Sequence, residues 1–92
     1  MQFEWDESKN KQNIIKHGIS FDEAKLIFNN QYLTGIDNKN EYTEVRKISI
    51  GVVAVIVVIV VVYTNRKNKI RIISARKANK KERNKYYEHI KK

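Results

Sequence analysis

The stretch that decides the fold runs from residue 52 to residue 63 and reads VVAVIVVIVVVY. Ten of its twelve residues are Val or Ile, whose branched side chains suit β-strands better than helices. A run that is apolar at every position is typical of strands covered on both faces. We therefore predict one strand over 45–53 and a second over 55–63. Gly51 is the only strand breaker nearby, so the sequence does not fix where the chain turns.

The same run could be taken for a membrane-spanning helix. It contains only a dozen wholly apolar residues, whereas a helix needs about 20 to cross a bilayer. Its Val and Ile content also favours strands. We therefore expect no membrane association.

Downstream, the pattern predicts a third strand and a helix. The polar cluster at 65–68 is typical of a hairpin turn, and residues 70–75 read as the next strand. Asn79 and Glu82 have the spacing of a capping box, which predicts a final helix to about Ile90.

Upstream, two helices are predicted. Asp6 can cap a helix that ends at His17, and Gly18 is suited to the left-handed conformation that stops it. Residues 20–23 read Ser-Phe-Asp-Glu, a second capping box, and this helix should end at 29–30.

The remaining segments are less regular. Residues 2–5 alternate as a short strand or an anchor, and the polar residues 33–44 predict a loop with a turn at 37–40, with or without a short strand. Taken together, residues 1–92 predict a single α+β domain. It would have a small antiparallel sheet, two N-terminal helices and a C-terminal helix.

Charge is distributed unevenly along the chain. Residues 1–45 hold five Lys against eight Asp or Glu, whereas residues 46–92 hold fourteen Lys or Arg against two Glu. This asymmetry favours a polyanion partner for the C-terminal half, most simply nucleic acid. A solubilising surface and an acidic protein partner are the alternatives.

The residue types restrict the chemistry. The chain has no cysteine, no glycine-rich phosphate loop and two histidines without metal-ligand spacing, so we expect no metal and no cofactor. Lys, Arg, His, Glu and Tyr suit metal-free RNA cleavage. In that reaction the RNA supplies its own 2′-hydroxyl, and the protein moves protons and stabilises charge on the phosphate.

Each candidate for this chemistry also has a structural alternative. His17 is a general base or acid, or a cation at a helix C-terminus. Arg46 and Arg76 flank the predicted strands and either clamp a phosphate or pair with acidic residues. Glu82 is a base or a helix cap, and Tyr86 is a proton donor, a base-stacking residue or a core aromatic.

A basic face is predicted on the last helix and the residues before it. Its members either follow an RNA backbone or are simply solvated, and they are Lys77, Lys80, Lys81, Arg83 and Lys85. From its residues alone, the chain is a polyanion-binding α+β domain that has the side chains for a nuclease.

Short motifs along nearly the whole chain resemble the BrnT family of ribonuclease toxins. They are Phe3-Glu4-Trp5-Asp6, Lys9, Asn13, Lys16 to Phe21, Glu23-Ala24, Phe28, Arg46, Ile50-Gly51, Val61 to Thr64, Ile72 to Arg76, Ala78, Glu82-Arg83 and Tyr86. The combination of the Lys-His-Gly and Ile-Ser-Ala-Arg elements is the most specific part of the resemblance.

The resemblance implies a RelE-like fold and a cytoplasmic ribonuclease that blocks translation. It also implies neutralisation by a BrnA-like antitoxin, with DNA bound only through the toxin–antitoxin complex. Matching positions carry over Lys16, His17, Arg46, Arg76, Glu82 and Tyr86 as expected site residues. His17 or Glu82 would be the base, the two arginines would hold the scissile phosphate, and Tyr86 or Lys16 would assist the leaving group or position RNA.

One segment departs from the family pattern. Members usually have a polar hairpin turn between the positions of Gly51 and Tyr63, where this chain is apolar. Either the hairpin turns on small apolar residues, or the segment packs against a partner such as a second copy of the chain. The alternative function is a non-catalytic module that binds nucleic acid or antitoxin through the basic helix.

Overall fold

A computed structural model describes residues 1–37, 44–54 and 57–91. Its helices are α1 (Glu7–His17), α2 (Phe21–Ala24), which continues as a 3-10 helix (Lys25–Asn29), and α3 (Lys80–Ile90). Its strands are β1 (Gln2–Glu4), β2 (Leu33–Ile36), β3 (Lys47–Val53), β4 (Val57–Arg66) and β5 (Lys69–Lys77). No helix in these ranges is long and apolar enough to cross a membrane.

The strands form one mixed sheet in the order β1-β5-β4-β3-β2. Three of the pairings are antiparallel, but β1 pairs with β5 in parallel. The three strands predicted from the apolar run and the segment after it pair antiparallel as expected, but the sheet as a whole is mixed because β1 joins it in parallel. The parallel partners lie at opposite ends of the chain, so no local turn signal could reveal their pairing.

The predicted helix boundaries are confirmed. The Asp6 carboxylate accepts hydrogen bonds from the backbone of Ser8 and Lys9, and Gly18 ends α1 with φ at 71°. Ser20 and Glu23 form the second capping box, and Asn79 and Glu82 form the third. Residues 38–40 of the predicted turn lie outside the described residues.

The apolar run folds into a hairpin. Strand β3 ends at Val53, which pairs with Val57 at the start of β4, so the chain reverses between these two residues. Ala54 has φ at 55°, a left-handed conformation that costs a residue with a Cβ about 1–2 kcal/mol. The described residue of this connection, Ala54, is therefore a small apolar residue in a turn conformation.

Each face of the sheet is covered by helices of the same chain. Helix α2 and the 3-10 helix supply Phe21, Ala24 and Ile27 to one core cluster, together with Ile59 and Val61 of β4. On the other face, α3 supplies Tyr86 and Ile90, which pack with Ile50, Val58 and Val60.

Gly51 does not end a strand, as its position suggested, but lies within β3 under the 3-10 helix. A Cβ at this position would lie 2.7 Å from Cβ of Ile27. The glycine therefore permits close approach of the helix to the sheet.

Asn13 attaches α1 to the outer side of β5, beyond the end of β1. Its amide nitrogen donates to the carbonyls of Ile19 at 2.8 Å and Ala75 at 2.9 Å, and its oxygen accepts from the Ala75 N–H at 3.2 Å. The N–H and C=O of Ala75 thereby gain hydrogen-bond partners on the edge of β5 that β1 does not reach. This contact places the C-terminal half of α1 beside the C-terminal half of β5.

Candidate active site

A charged pair joins the end of β5 to the first turn of α3. Arg76 donates from Nη1 and Nη2 to the two carboxylate oxygens of Glu82, both at 2.8 Å. Hydrogen bonding to Glu82 raises the pKa of the Arg76 guanidinium, so it stays charged. Because the Arg76 side chain is 44% exposed, the pair adds little to stability, and the guanidinium remains open to solvent on one side.

The connection between β5 and α3 creates this pair. Ala78 is buried and donates its N–H to the Val58 carbonyl at 3.0 Å, which holds the chain against β4 as it leaves the sheet. Asn79 then starts α3, and its own N–H donates to Glu82 at 2.9 Å. The Glu82 carboxylate is therefore both a helix cap and the partner of Arg76.

Tyr86 lies one turn further along α3 and is only 3% exposed. Its hydroxyl donates to the Gln31 carbonyl at 3.1 Å. Burial raises the pKa of its phenol, and the adjacent Tyr87 adds to the shift. The structure thus places Tyr86 in the core with its hydroxyl bonded to Gln31, and its catalytic role stays a prediction.

Lys16 and His17 lie in the last turn of α1. Lys16 is exposed and His17 is half-buried. Asn13, one turn earlier, bonds to Ala75, which directly precedes Arg76. His17 is thus about 6 Å along the helix axis from a residue that contacts β5 next to Arg76.

The predicted basic face is solvent-exposed throughout. Its five members, Lys77, Lys80, Lys81, Arg83 and Lys85, flank the Arg76–Glu82 pair on β5 and α3. Arg83 also donates to the Ala78 carbonyl at 2.9 Å, which fixes its guanidinium near the start of the helix.

Arg46 lies elsewhere on the sheet. Arg76 pairs with Val60 in the middle of β4, whereas Arg46 lies level with Thr64, four residues along. Two strand spacings also separate the two arginines, so their Cα atoms are about 16 Å apart by strand geometry. The structure does not bring these two arginines together as a clamp.

Arg46 instead lines a second basic site, the arginine pocket, on the face of the sheet opposite the α2 core cluster. This cavity of about 130 Å³ is lined by Lys9, Glu44, Arg46, Thr64, Arg66, Arg71 and Ile73. Sequence reasoning missed most of these residues. The alternation of Ile70, Arg71 and Ile72 could have shown that Arg71 points away from the main core.

Within the described residues, no group of three or more His, Asp or Glu side chains is placed to hold a metal ion. Among the described residues, the ionisable groups beside Arg76 are the Glu82 carboxylate and the exposed cations of the basic face.

Comparison with known proteins agrees with this architecture. The family model described as "Ribonuclease toxin, BrnT, of type II toxin-antitoxin system" matches residues 5–82. The chain belongs to the BrnT family. The match includes Lys16, His17, Arg46, Arg76 and Glu82 but ends before Tyr86.

A solved BrnT structure has the same fold. The ribonuclease toxin BrnT of Brucella abortus, determined by crystallography at 1.1 Å resolution, aligns with a TM-score of 0.65 and 24% sequence identity. The alignment covers 87% of this chain and 99% of the Brucella chain. None of the curated proteins compared with the chain matches it. This BrnT chain is therefore a member of a family of ribonuclease toxins with the fold of the Brucella protein.

Proposed function

We propose that this chain is a single-domain, cytoplasmic endoribonuclease toxin with a RelE-like arrangement that cleaves RNA without a metal and blocks translation. A BrnA-like antitoxin would neutralise it, and DNA would be bound only through that complex. Besides family membership, the observation that supports the proposal is the half-exposed Arg76–Glu82 pair, surrounded by exposed cations.

Arg76 is the residue we assign to the scissile phosphate. Glu82 uses one N–H of each terminal guanidinium nitrogen, and Nη1 also donates to the Lys77 carbonyl at 3.3 Å. Among the described residues, Nε and the second N–H of Nη2 have no acceptor. A fixed cation that faces the charge developing on a phosphorane lowers the barrier without reorganising at the moment of reaction.

Glu82 would position Arg76 rather than act as the base. Both of its oxygens accept from the guanidinium, and one also accepts the Asn79 N–H. A carboxylate engaged in this way is poorly available to a 2′-hydroxyl. We therefore assign the proton transfer to His17, because histidine is the side chain best suited to acid–base chemistry at physiological pH, and assign Lys16 to the leaving group or to RNA positioning.

The exposed basic face of β5 and α3 would bind the flanking RNA. Its cations lie around Arg76 without carboxylate partners among the described residues, apart from the Arg76–Glu82 pair itself. Such a surface supplies affinity that falls steeply with salt. A homo-oligomer through the sheet remains a prediction, but the chain's own helices already bury the apolar strand β4.

The test is cleavage of a labelled RNA in EDTA, with and without the antitoxin. Cleavage that leaves 2′,3′-cyclic phosphate ends and is blocked by the antitoxin would support the proposal. Arg76→Gln should lower kcat by about 10²–10³-fold, as removal of a transition-state donor does. The matched control Lys11→Gln removes one charge from an exposed position on α1 and should leave the rate within about twofold.

Two results would contradict the mechanism. Cleavage only with added magnesium would keep the enzyme class but refute metal-free chemistry. Salt-sensitive RNA binding without scission would favour the non-catalytic binding module, since Glu82 already occupies one side of Arg76.

A further inference from the structure

Thr64 is the unusual residue of the arginine pocket. It is 4% exposed, and among the described residues its Oγ1 is the one buried side-chain polar atom without a hydrogen-bond partner. Buried hydroxyls are normally satisfied, because losing water without gaining a partner is unfavourable. Thr64 lines the pocket, so a ligand there would provide the missing partner.

The strand register gathers cations around this hydroxyl. Arg71 of β5 pairs directly with Thr64, and Arg66 lies two residues along β4 on the same face. Arg46 flanks Thr64 from the side of β3, and Lys9 reaches the pocket from α1.

Two carboxylates show that the site accepts anions. Glu44 receives hydrogen bonds from Nε of Arg66 at 2.8 and 2.9 Å, and Nη2 of Arg66 also donates to it. Arg66, together with the charges of Arg71 and Arg46, lowers the pKa of Glu44. Glu4 accepts from Arg71 at 3.0 Å. Among the described residues, Arg66 and Arg71 thus each already hold a carboxylate group.

We propose that the arginine pocket is a phosphate-binding subsite that holds a backbone phosphodiester of the RNA, a few nucleotides from the bond cleaved beside Arg76. Arginine guanidinium groups would take the phosphate oxygens, Lys9 would add a point charge, and Thr64 would donate its hydroxyl. Glu44 would be displaced from Arg66 or shifted aside as the strand binds.

Size and position support this ligand. A cavity of about 130 Å³ has room for one phosphate group. Arg71 and Arg76 lie on the same strand, so a nucleic acid strand laid along β5 would reach both sites. The identification of the bound strand as RNA rests on the proposed ribonuclease function. The affinity of the pocket for a phosphate group does not.

The test is equilibrium binding of a 2′-O-methyl RNA oligonucleotide, which cannot be cleaved by its own 2′-oxygen. Thr64→Val keeps the shape and strand preference of the side chain and loses no hydrogen bond, so the variant should fold. It should weaken binding about tenfold, as loss of a hydrogen bond to a charged group does. Thr64→Ser retains the hydroxyl and should bind within about twofold of the unsubstituted chain.

A pair of lysine variants tests the charge. Lys9 lines the pocket, whereas Lys11 lies on the same helix, is also exposed and does not line it. Lys9→Gln should reduce the slope of log affinity against log salt by about 0.7, the value for one contact to a single strand. Lys11→Gln should leave the slope unchanged.

Three outcomes would overturn the subsite. Oligonucleotide affinity unchanged by Thr64→Val would do so. The second is saturable binding of inorganic phosphate that shifts the Thr64 amide resonance, combined with RNA binding that is insensitive to Thr64→Val. That result would identify a site for free phosphate rather than for RNA. A Thr64→Val variant that loses affinity for the antitoxin but keeps its affinity for RNA would instead show that the pocket binds an antitoxin carboxylate.

The two proposals fail in different ways. If the oligonucleotide binds through Thr64 but ordinary RNA is never cut, the subsite stands and the proposed enzymatic function fails. If RNA is cut and Thr64→Val binds normally, only the subsite fails.

Discussion

Replacing Asn13 with Ala should strongly destabilise this fold. The Asn13 side chain is 7% exposed and makes three hydrogen bonds that join α1 to Ile19 and to the unpaired edge of β5 at Ala75. Each such bond contributes about 1 kcal/mol net, and more when a buried partner is left unsatisfied. Three bonds therefore amount to about 3 kcal/mol, reduced by about 0.6 kcal/mol for the better helix propensity of Ala.

The expected net loss is about 2.5 kcal/mol in the free energy of unfolding. For a domain of this size, that corresponds to a fall in Tm of about 10–20 °C. Urea and thermal denaturation followed by circular dichroism would measure both quantities. The matched control is Asn84→Ala on the exposed side of α3, which should be neutral or stabilising by a few tenths of a kcal/mol.

A loss below about 1 kcal/mol for Asn13→Ala would refute this reasoning. It would mean that water replaces the amide at the β5 edge at little cost. The attachment of α1, to which Asn10 also contributes by accepting the Phe21 N–H at 2.8 Å, determines where Lys9, Lys16 and His17 lie.

Three further changes test the packing. Gly51→Ala should lower the free energy of unfolding by about 1–3 kcal/mol, because the added Cβ would lie 2.7 Å from Cβ of Ile27. An unchanged urea midpoint would contradict this. Ala54→Gly should stabilise by about 0.5 kcal/mol, because relief of the left-handed strain exceeds the added unfolded-state entropy; a lower Tm would show that the turn is unstrained. Tyr86 has a raised pKa in the folded state, so the unfolded state ionises first and stability is lost as pH rises through about 10. Tyr86→Phe should therefore flatten the decline in urea-unfolding free energy between pH 9 and 11, although it loses the bond to Gln31 at every pH; parallel profiles would refute the assignment.

Local sequence signals determined the element boundaries well. Asp6, Gly18 and the two capping boxes predicted helix ends because caps are satisfied within three residues of the chain. The polar cluster at 65–68 correctly marked the β4–β5 turn, where Lys67 and Asn68 take positive φ values. The Val-rich run correctly predicted buried strands.

The functional residues were predicted less completely. The family resemblance placed Arg76 and Glu82, which lie six residues apart and meet through one short connection. Tyr86 matched the same motif but is a core residue, since the apolar side of α3 faces the sheet. Composition and spacing could not show that difference, because aromatics occur on both kinds of surface.

By itself, the sequence determined the class of fold, the limits of its helices, and the basic character of its C-terminal half. These properties depend on periodicity, capping and charge, which are local or additive. Only the tertiary structure decided the parallel pairing of β1 with β5, the contact of Gly51 with Ile27 and the gathering of cations around Thr64. Each of these contacts joins residues that are distant along the chain. Strand order and register bring those residues together, and no local pattern encodes either property.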